Sequence, residues 1–265
     1  SHTCGIRAGG TLWCWGLNWD GQLGNGSNAS STVPVREGTH GTWTAVAAGS
    51  AHTCGLRGAG TLWCWGQNEF GRLGDGTTTD RNLPVREGTR ESWTAVAAGS
   101  GHSCGLRADG RLWCWGLNGS GQLGDGYGGS SWWGPAYTPL PSQVSGDHTD
   151  WIAVTGGGAH TCGIRGAGTL WCWGANGSGQ LGDGSAALRL TPVPVVGADW
   201  THVSAGGSHT CALRASGTLW CWGNNTFGQL GDGTYIASFV PVQEVGATAG
   251  WNAVAAGSDY ALALR

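Results

Sequence analysis

The sequence predicts an all-β chain: a β-propeller of about five four-stranded antiparallel blades, with six as the upper count and one disulfide inside each repeat. Three observations predict it. A segment is written five times, as HTCGIRAGGTLWCWG from His2, HTCGLRGAGTLWCWG from His52, HSCGLRADGRLWCWG from His102, HTCGIRGAGTLWCWG from His160 and HTCALRASGTLWCWG from His209. Ten cysteines fall as five pairs with ten positions between partners: Cys4 with Cys14, Cys54 with Cys64, Cys104 with Cys114, Cys162 with Cys172, and Cys211 with Cys221. The 53 glycines keep fixed offsets, as turns and close-packed strands require, while 18 tryptophans supply the core that glycine-rich disordered chains lack. One array therefore runs over 1–265, with repeats at about 1–49, 50–99, 100–157, 158–206 and 207–257 and an extra terminal strand at 258–265.

A further strand precedes each hairpin, read as TWTAVAAG from Thr42, SWTAVAAG from Ser92, DWIAVTGG from Asp150, DWTHVSAG from Asp199 and GWNAVAAG from Gly250. The cysteine hairpin follows. In the first copy Ile6-Arg7 and Thr11-Leu12 flank a three-residue loop with Gly at its left-handed position, which sets Arg7 opposite Thr11, Ile6 opposite Leu12 and Cys4 opposite Cys14. Opposed Cβ atoms stand about 4.5–5.5 Å apart, and a disulfide needs about 3.5–4.5 Å, so a cross-strand bridge is feasible with some strain. Gly5 lies opposite Trp13, which leaves room for that indole on the reverse face. Apolar groups on both faces fit a sheet stacked on both sides. A glycine-rich bend such as GQLGNG from Gly21 or GRLGDG from Gly71 leads to an outer strand ending in Pro-Val, where proline fits an edge.

Composition excludes several classes. Net charge is −3, lysine is absent, only 11% of residues are charged and no basic cluster occurs, so a nucleic-acid partner is not expected. No apolar run approaches a membrane span. One cysteine pair per repeat reads as a disulfide framework, hence a secreted or extracellular cell-surface location in an oxidising compartment. Opening inside a repeat without Met reads as a mature or trimmed product.

The repeat resembles that of the regulator of chromosome condensation family. The matching residues are the Ala-Gly-x-x-His-Thr opening, the Gly-Thr-Leu-Trp-x-Trp-Gly strand, the Asn-x-x-Gly-Gln-Leu-Gly-Asp-Gly bend and the Pro-Val exit, recurring in that order over essentially the whole chain. The resemblance implies a propeller, usually of seven blades, from which five copies is a departure. Where family repeats usually carry a Leu and a small residue, this chain carries the facing cysteines, which supports their being partners. No insertion matches the family's exchange-factor wedge, so nucleotide exchange is not carried over.

The carboxyl end repeats an inner strand and then SDYALALR from Ser258, with Leu262 standing where other copies have cysteine. Tyr260, Leu262 and Leu264 are therefore a candidate assembly strand: part of a longer propeller, of a sixth incomplete blade, or of a contact with another molecule through an unpaired sheet edge.

No catalytic set emerges, and the chain is not expected to be an enzyme or to hold a cofactor or metal. The five repeated histidines sit two residues before a cysteine, but without CxxC or HxxxH spacing they read as buried imidazoles bonded to backbone rather than zinc ligands. Asp75, Asp125, Asp183 and Asp232 in the Gly-Asp-Gly bends read as turn formers rather than calcium ligands. What breaks the period is more informative. Cysteine spacings of 50, 50, 58 and 49 place an insertion of about eight residues in YGGSSWWGPAYTPLPSQ from Tyr127. All tryptophans but Trp19, Trp132 and Trp133 fall at core positions of the repeat. Trp132, Trp133 and Tyr137 in that insertion, and Trp19, Phe70 and Phe227 just before the bends, are the candidate binding residues; the insertion either anchors a ligand or folds back as a cap. A further variable set includes Tyr235, Ile236 and Phe239. The expected function is a secreted, non-enzymatic propeller that binds a protein or glycan through loop aromatics. The alternative is a structural subunit of an extracellular filament or longer repeat protein, self-associating through the terminal strand.

Overall fold

In a computed structural model the chain is all-β, and the structure describes residues 1–38, 40–88, 91–129, 136–246 and 248–265. Among the described residues twenty-one strands form six sheets. The first sheet holds β1 (His2–Arg7), β2 (Thr11–Gly16) and β3 (Ser31–Arg36). Four complete blades follow. They are β4 (Trp43–Ala48), β5 (His52–Arg57), β6 (Thr61–Gly66) and β7 (Arg81–Arg86), then β8 (Trp93–Ala98), β9 (His102–Arg107), β10 (Leu112–Leu117) and β11 (Tyr137–Gln143). The next pair are β12 (Trp151–Gly156), β13 (His160–Arg165), β14 (Thr169–Gly174) and β15 (Arg189–Pro194), then β16 (Trp200–Ala205), β17 (His209–Arg214), β18 (Leu219–Gly223) and β19 (Ser238–Gln243). The last sheet has only β20 (Ala253–Ala256) and β21 (Ala261–Leu264).

The predicted hairpin register holds: Arg7 faces Thr11, Ile6 faces Leu12 and Cys4 faces Cys14. All five expected bridges form within their own hairpins. Cys4 is bonded to Cys14, Cys54 to Cys64, Cys104 to Cys114, Cys162 to Cys172 and Cys211 to Cys221, with Cα atoms 4.0–4.1 Å apart. The cores are the seams between blades. Leu12, Cys14 and Leu23 of the first sheet meet Trp43 and Trp65 of the second in one buried cluster, and the same grouping recurs at the following seams.

The glycine of the hairpin does make room for an indole, but not the one expected. A Cβ on Gly55 would lie 2.8 Å from Trp43 of the inner strand, and Gly105 and Gly163 meet Trp93 and Trp151 in the same way. On Gly5 it would meet nothing within 4 Å, because the first sheet has no inner strand. The hairpin's own Trp13, Trp63, Trp171 and Trp220 instead lie half-buried beside the arginine that ends the preceding strand, with Arg214 stacked 4.2 Å from the Trp220 ring.

Four of the five repeated histidines, of which His52, His102 and His160 are buried, bond across blades rather than to backbone. Nε2 of His2, His52, His102 and His160 lies 2.7–2.9 Å from the hydroxyl of Thr53, Ser103, Thr161 and Thr210 in the next sheet. Each hydroxyl donates its single proton to a bend carbonyl, of Gln22, Arg72, Gln122 and Gln180 respectively. It must therefore accept from the imidazole, which fixes the Nε2–H tautomer and leaves Nδ1 as a bare lone pair.

The inner ends of the blades surround an axial passage of about 260 Å³, lined by small residues from Ser1 and Gly49 round to Ser258 and Tyr260. Backbone bonds stitch its wall, from Ser100 N to Gly157 O, Gly158 N to Gly206 O and Gly207 N to Gly257 O. Strand pairing does not close the arc: β20 pairs with β21, and β1 pairs only with β2.

Candidate binding face

Antiparallel order decides which loops share a face. The turns from first to second strand (49–51 and its equivalents) and the long bends from third to fourth strand emerge at one end of every blade. The bends carry Trp19, Phe70, Phe227, Tyr127, Tyr235 and Ile236, and the insertion also lies on a bend, between β10 and β11. Trp19, Phe70, Tyr127, Phe227, Tyr235 and Ile236 thus lie at one end of the blades. The opposite face carries the tight hairpin turns and the Arg–Trp stacks.

Side-chain hydrogen bonds tie each bend together. Asn68 Oδ1 accepts from Leu73 N at 3.0 Å, and its Nδ2 donates to Thr77 O and Thr79 O, both at 3.1 Å. Asn18, Asn118, Asn176 and Asn225 accept from a leucine amide in the same way. This role buries Asn118 and Asn176. Asp75 accepts from Thr77 N, Thr77 Oγ1 and Arg81, and Asp183 from Ser185 and Arg189. Burial opposes ionisation of both, but these hydrogen bonds outweigh it and hold the carboxyls below their usual range. They act as turn formers, and no group of three His, Cys, Asp or Glu suited to a metal occurs among the described residues.

On these bends Trp19 is 74% exposed and Phe227 69% exposed, while Tyr235 and Ile236 stand equally free beside Phe227 on the fifth blade. Phe70 is different. It is half-buried, with Tyr137 6.3 Å away ring to ring and the Arg72 guanidinium 5.5 Å from its centroid. Phe70 and Tyr137 are brought together across a blade seam; Trp19 lies one blade before them and Phe227 three blades after Phe70. Trp132 and Trp133 fall outside the described residues.

Arg72 is a feature the sequence reading passed over. Other blades have glutamine here, whose Oε1 accepts from the amide two residues earlier, as Gln22 does from Asp20 and Gln229 from Phe227. Arg72 cannot accept and instead donates to Ser100 O in the next blade, at 3.1 Å. The signal was one Arg in the Gly-Gln-Leu-Gly frame. It places a cation near the Asp20 and Asp80 carboxylates, and the Asp20 pKa is raised by burial and then by Asp80. A groove of about 420 Å³ lies there, lined by Asp20, Asn28, Asp80, Arg81, Asn82, Leu83 and Val85.

The sequence model of the RCC1-like domain matches residues 1–265, the whole chain. Among solved structures, human WBSCR16 is 23% identical with a TM-score of 0.83, covering 98% of this chain and 69% of its own. Prp20p of Saccharomyces cerevisiae, described with its binding properties to Gsp1p and histones, is 20% identical at a TM-score of 0.83, covering 99% and 66%. The same yeast protein bound to Kap60 gives 20% and 0.84, covering 99% and 63%. The chain thus spans about two thirds of the length of these structures, and at such identities the likeness concerns the fold. No curated protein matches the chain in sequence.

Proposed function

The chain belongs to the RCC1-like domain family, and from that premise we propose that it is a secreted or cell-surface, non-enzymatic propeller that binds a protein or glycan through the bend face. The observation that carries this reading is the convergence of off-period aromatics on one end of the blades. Trp19, Phe227, Tyr235 and Ile236 stand free on hydrogen-bonded bends, where exposed aromatic side chains serve as interface anchors. Five disulfides are consistent with an oxidising compartment. Prp20p and its Kap60 complex give precedent for protein binding on this fold, though a fold does not specify a target.

The test is a screen of the immobilised chain against glycan and protein arrays, repeated with Trp132→Ala/Trp133→Ala and with Trp19→Ala/Phe227→Ala. Truncating interface anchors costs about 2 kcal/mol or more, so at least one double variant is expected to weaken a hit about thirtyfold while keeping the native melting temperature. Equal affinity in both variants removes the bend face as the binding surface.

One observation favours a second reading, assembly through the terminal strand. β21 leaves one ladder edge unpaired, with Leu262 and Leu264 62% and 68% exposed, and β1 leaves an edge open at the other end. Head-to-tail joining of copies is then expected in sedimentation or native mass measurements and is lost on deletion of Tyr260–Arg265. A monomer indifferent to that deletion rules it out.

A further inference from the structure

A position that departs from its counterparts in the other blades is one the scaffold does not dictate, and such departures gather at the seam between the first two sheets. Asp20 stands on its bend where the others have Phe70, Ser120, Ser178 and Phe227. Asp80 enters its outer strand where they have Ser30, Tyr137, Leu188 and Ala237. At the next seam the same two positions hold Phe70 and Tyr137, whose rings are 6.3 Å apart. The first seam thus has two carboxylates at the positions where its neighbour has two rings in contact.

Like charges so placed repel, and the Asp20 pKa is raised by burial and then by Asp80. The chain does not answer them with a paired cation. Arg81 is bonded to Asp75, and Arg72, although near, donates to Ser100 O in the next blade. Neither Asp20 nor Asp80 forms an ion pair among the described residues.

Both carboxylates line the groove of about 420 Å³, together with Leu83 and Val85. Asn28 and Asn82 in its wall are spent on the seam itself: Asn82 Nδ2 donates to Asn28 Oδ1 at 3.1 Å, and Asn28 Nδ2 to Trp19 O at 2.8 Å. That last bond ties Trp19 to the groove through its backbone, while its indole is free. Charged acceptors, apolar side chains and an aromatic ring therefore meet at one place. The charge of the whole bend end agrees. Asp20, Glu69, Asp80 and the four Gly-Asp-Gly aspartates stand there against Arg72, Arg81 and Arg189, and the other described arginines lie at the opposite end of the blades.

We propose that this seam groove is a receptor for an arginine side chain on a basic segment of a partner protein. The guanidinium bonds to Asp20 and Asp80 together, its methylenes pass along Leu83 and Val85, and the Trp19 indole stacks on the planar cation. Guanidinium suits the site better than ammonium, because its rigid fork of donors satisfies two carboxylates at once. The inference rests on the bend-face reading and narrows it, making the partner a cationic protein rather than a glycan.

The experiment titrates the full, disulfide-bonded chain with the peptide acetyl-Gly-Ser-Arg-Ser-Gly-amide, read by NMR through the tryptophan indole signals. Low ionic strength is used, because an exposed ion pair is least screened there. Saturable movement of the Trp19 signal is expected. Citrulline in place of the peptide's arginine, which removes the charge and keeps the shape, weakens binding about tenfold, as do Asp20→Asn and Asp80→Asn in the protein. Asp80→Asn keeps the Oδ1 that accepts from Asn68 N, so the bend stays tied. Asp109→Asn, at the opposite end of the blades, leaves binding unchanged. Equal binding of the citrulline or lysine peptide overturns the proposal, and so does an equal loss in Asp109→Asn, which would mean attraction to net charge alone. Absence of any shift up to the peptide's solubility limit overturns it as well. In that case an array hit that still weakens in Trp19→Ala/Phe227→Ala leaves the wider bend-face reading standing. A glycan hit that Asp80→Asn weakens overturns the arginine assignment by making a sugar the occupant.

Discussion

Between pH 7 and pH 5 the melting temperature of the chain is expected to fall by roughly 10–20 °C, before most carboxylates protonate. The cause is the line of buried imidazoles. Each donates Nε2–H to a hydroxyl that has already committed its proton to a carbonyl, and Nδ1 of His52, His102 and His160 is buried with no partner. A second proton would have to sit on that nitrogen, in a site without an acceptor. Burial is the first cause that holds His102 down to about 4 and His160 to about 3; neighbouring charge adds to it, from Arg72 at His102 and from the flanking histidines at His160. His52 is lowered well below its usual value by burial and then by Arg72.

The folded chain therefore refuses protons that the unfolded chain binds near pH 6.5. Stability is fully present above that value and is lost as pH falls from 6.5 toward the folded values of about 3–4. At pH 5 His102 and His160 each cost about 2 kcal/mol, roughly 4 kcal/mol together, and His52 adds to the loss in the same direction. The carboxyls of Asp75, Asp183 and Asp232, whose pKa values are themselves lowered, contribute only below about pH 4. Thermal melts at half-unit pH steps check this. In His102→Asn the midpoint at pH 7 drops, but its dependence on pH flattens by about one histidine's share. An unchanged midpoint down to pH 5 contradicts the assigned tautomer.

The second large effect is reduction. Closing a loop of about ten residues removes roughly 3 kcal/mol of unfolded-chain freedom per bridge, on the chain-entropy account. The double replacement of Cys162 and Cys172 by alanine removes a bridge whose sulfurs are fully buried. It is accordingly expected to lower the melting temperature by about 6–12 °C. Opening all five bridges sums to about 15 kcal/mol across separate sheets, the upper end of ordinary domain stability, so the fully reduced chain is expected to unfold. Circular dichroism with and without reductant reads this directly. Alkylation under denaturing conditions is expected to find no free thiol in the native chain; ten labelled cysteines would reverse the compartment assignment.

The parts of the fold that depend on nearest neighbours in sequence were readable before any coordinates. Cys4 opposite Cys14 and Ile6 opposite Leu12 follow from one hairpin loop, and the later pairs, from Cys54 with Cys64 to Cys211 with Cys221, follow by repetition. Period alone puts Trp65, Trp115, Trp173 and Trp222 in the core. What escaped depends on contacts about fifty residues apart. His52 and Thr53 are adjacent in sequence yet belong to successive links, His52 reaching forward to Ser103 while Thr53 receives His2. Gly5 opposite Trp13 suggested the wrong indole, because the ring that fills the room above Gly55 comes from the neighbouring inner strand. At the candidate face, alternation of strand direction put Trp19, Phe70 and Phe227 at one end of the blades. It could not show that Phe70 is engaged by Arg72 and Tyr137 while Trp19 and Phe227 stand free.

The imidazole–hydroxyl links also set how the molecule comes apart. Each joins only adjacent sheets, so cohesion runs along the arc like a zipper with five teeth, of which the last is unfastened at Ala261. Sheets joined only to their neighbours open at the weakest link rather than melting as one block. The final pair of strands, lacking both a sulfur bridge and a hydroxyl to hold His209, is the place where the zipper starts to open.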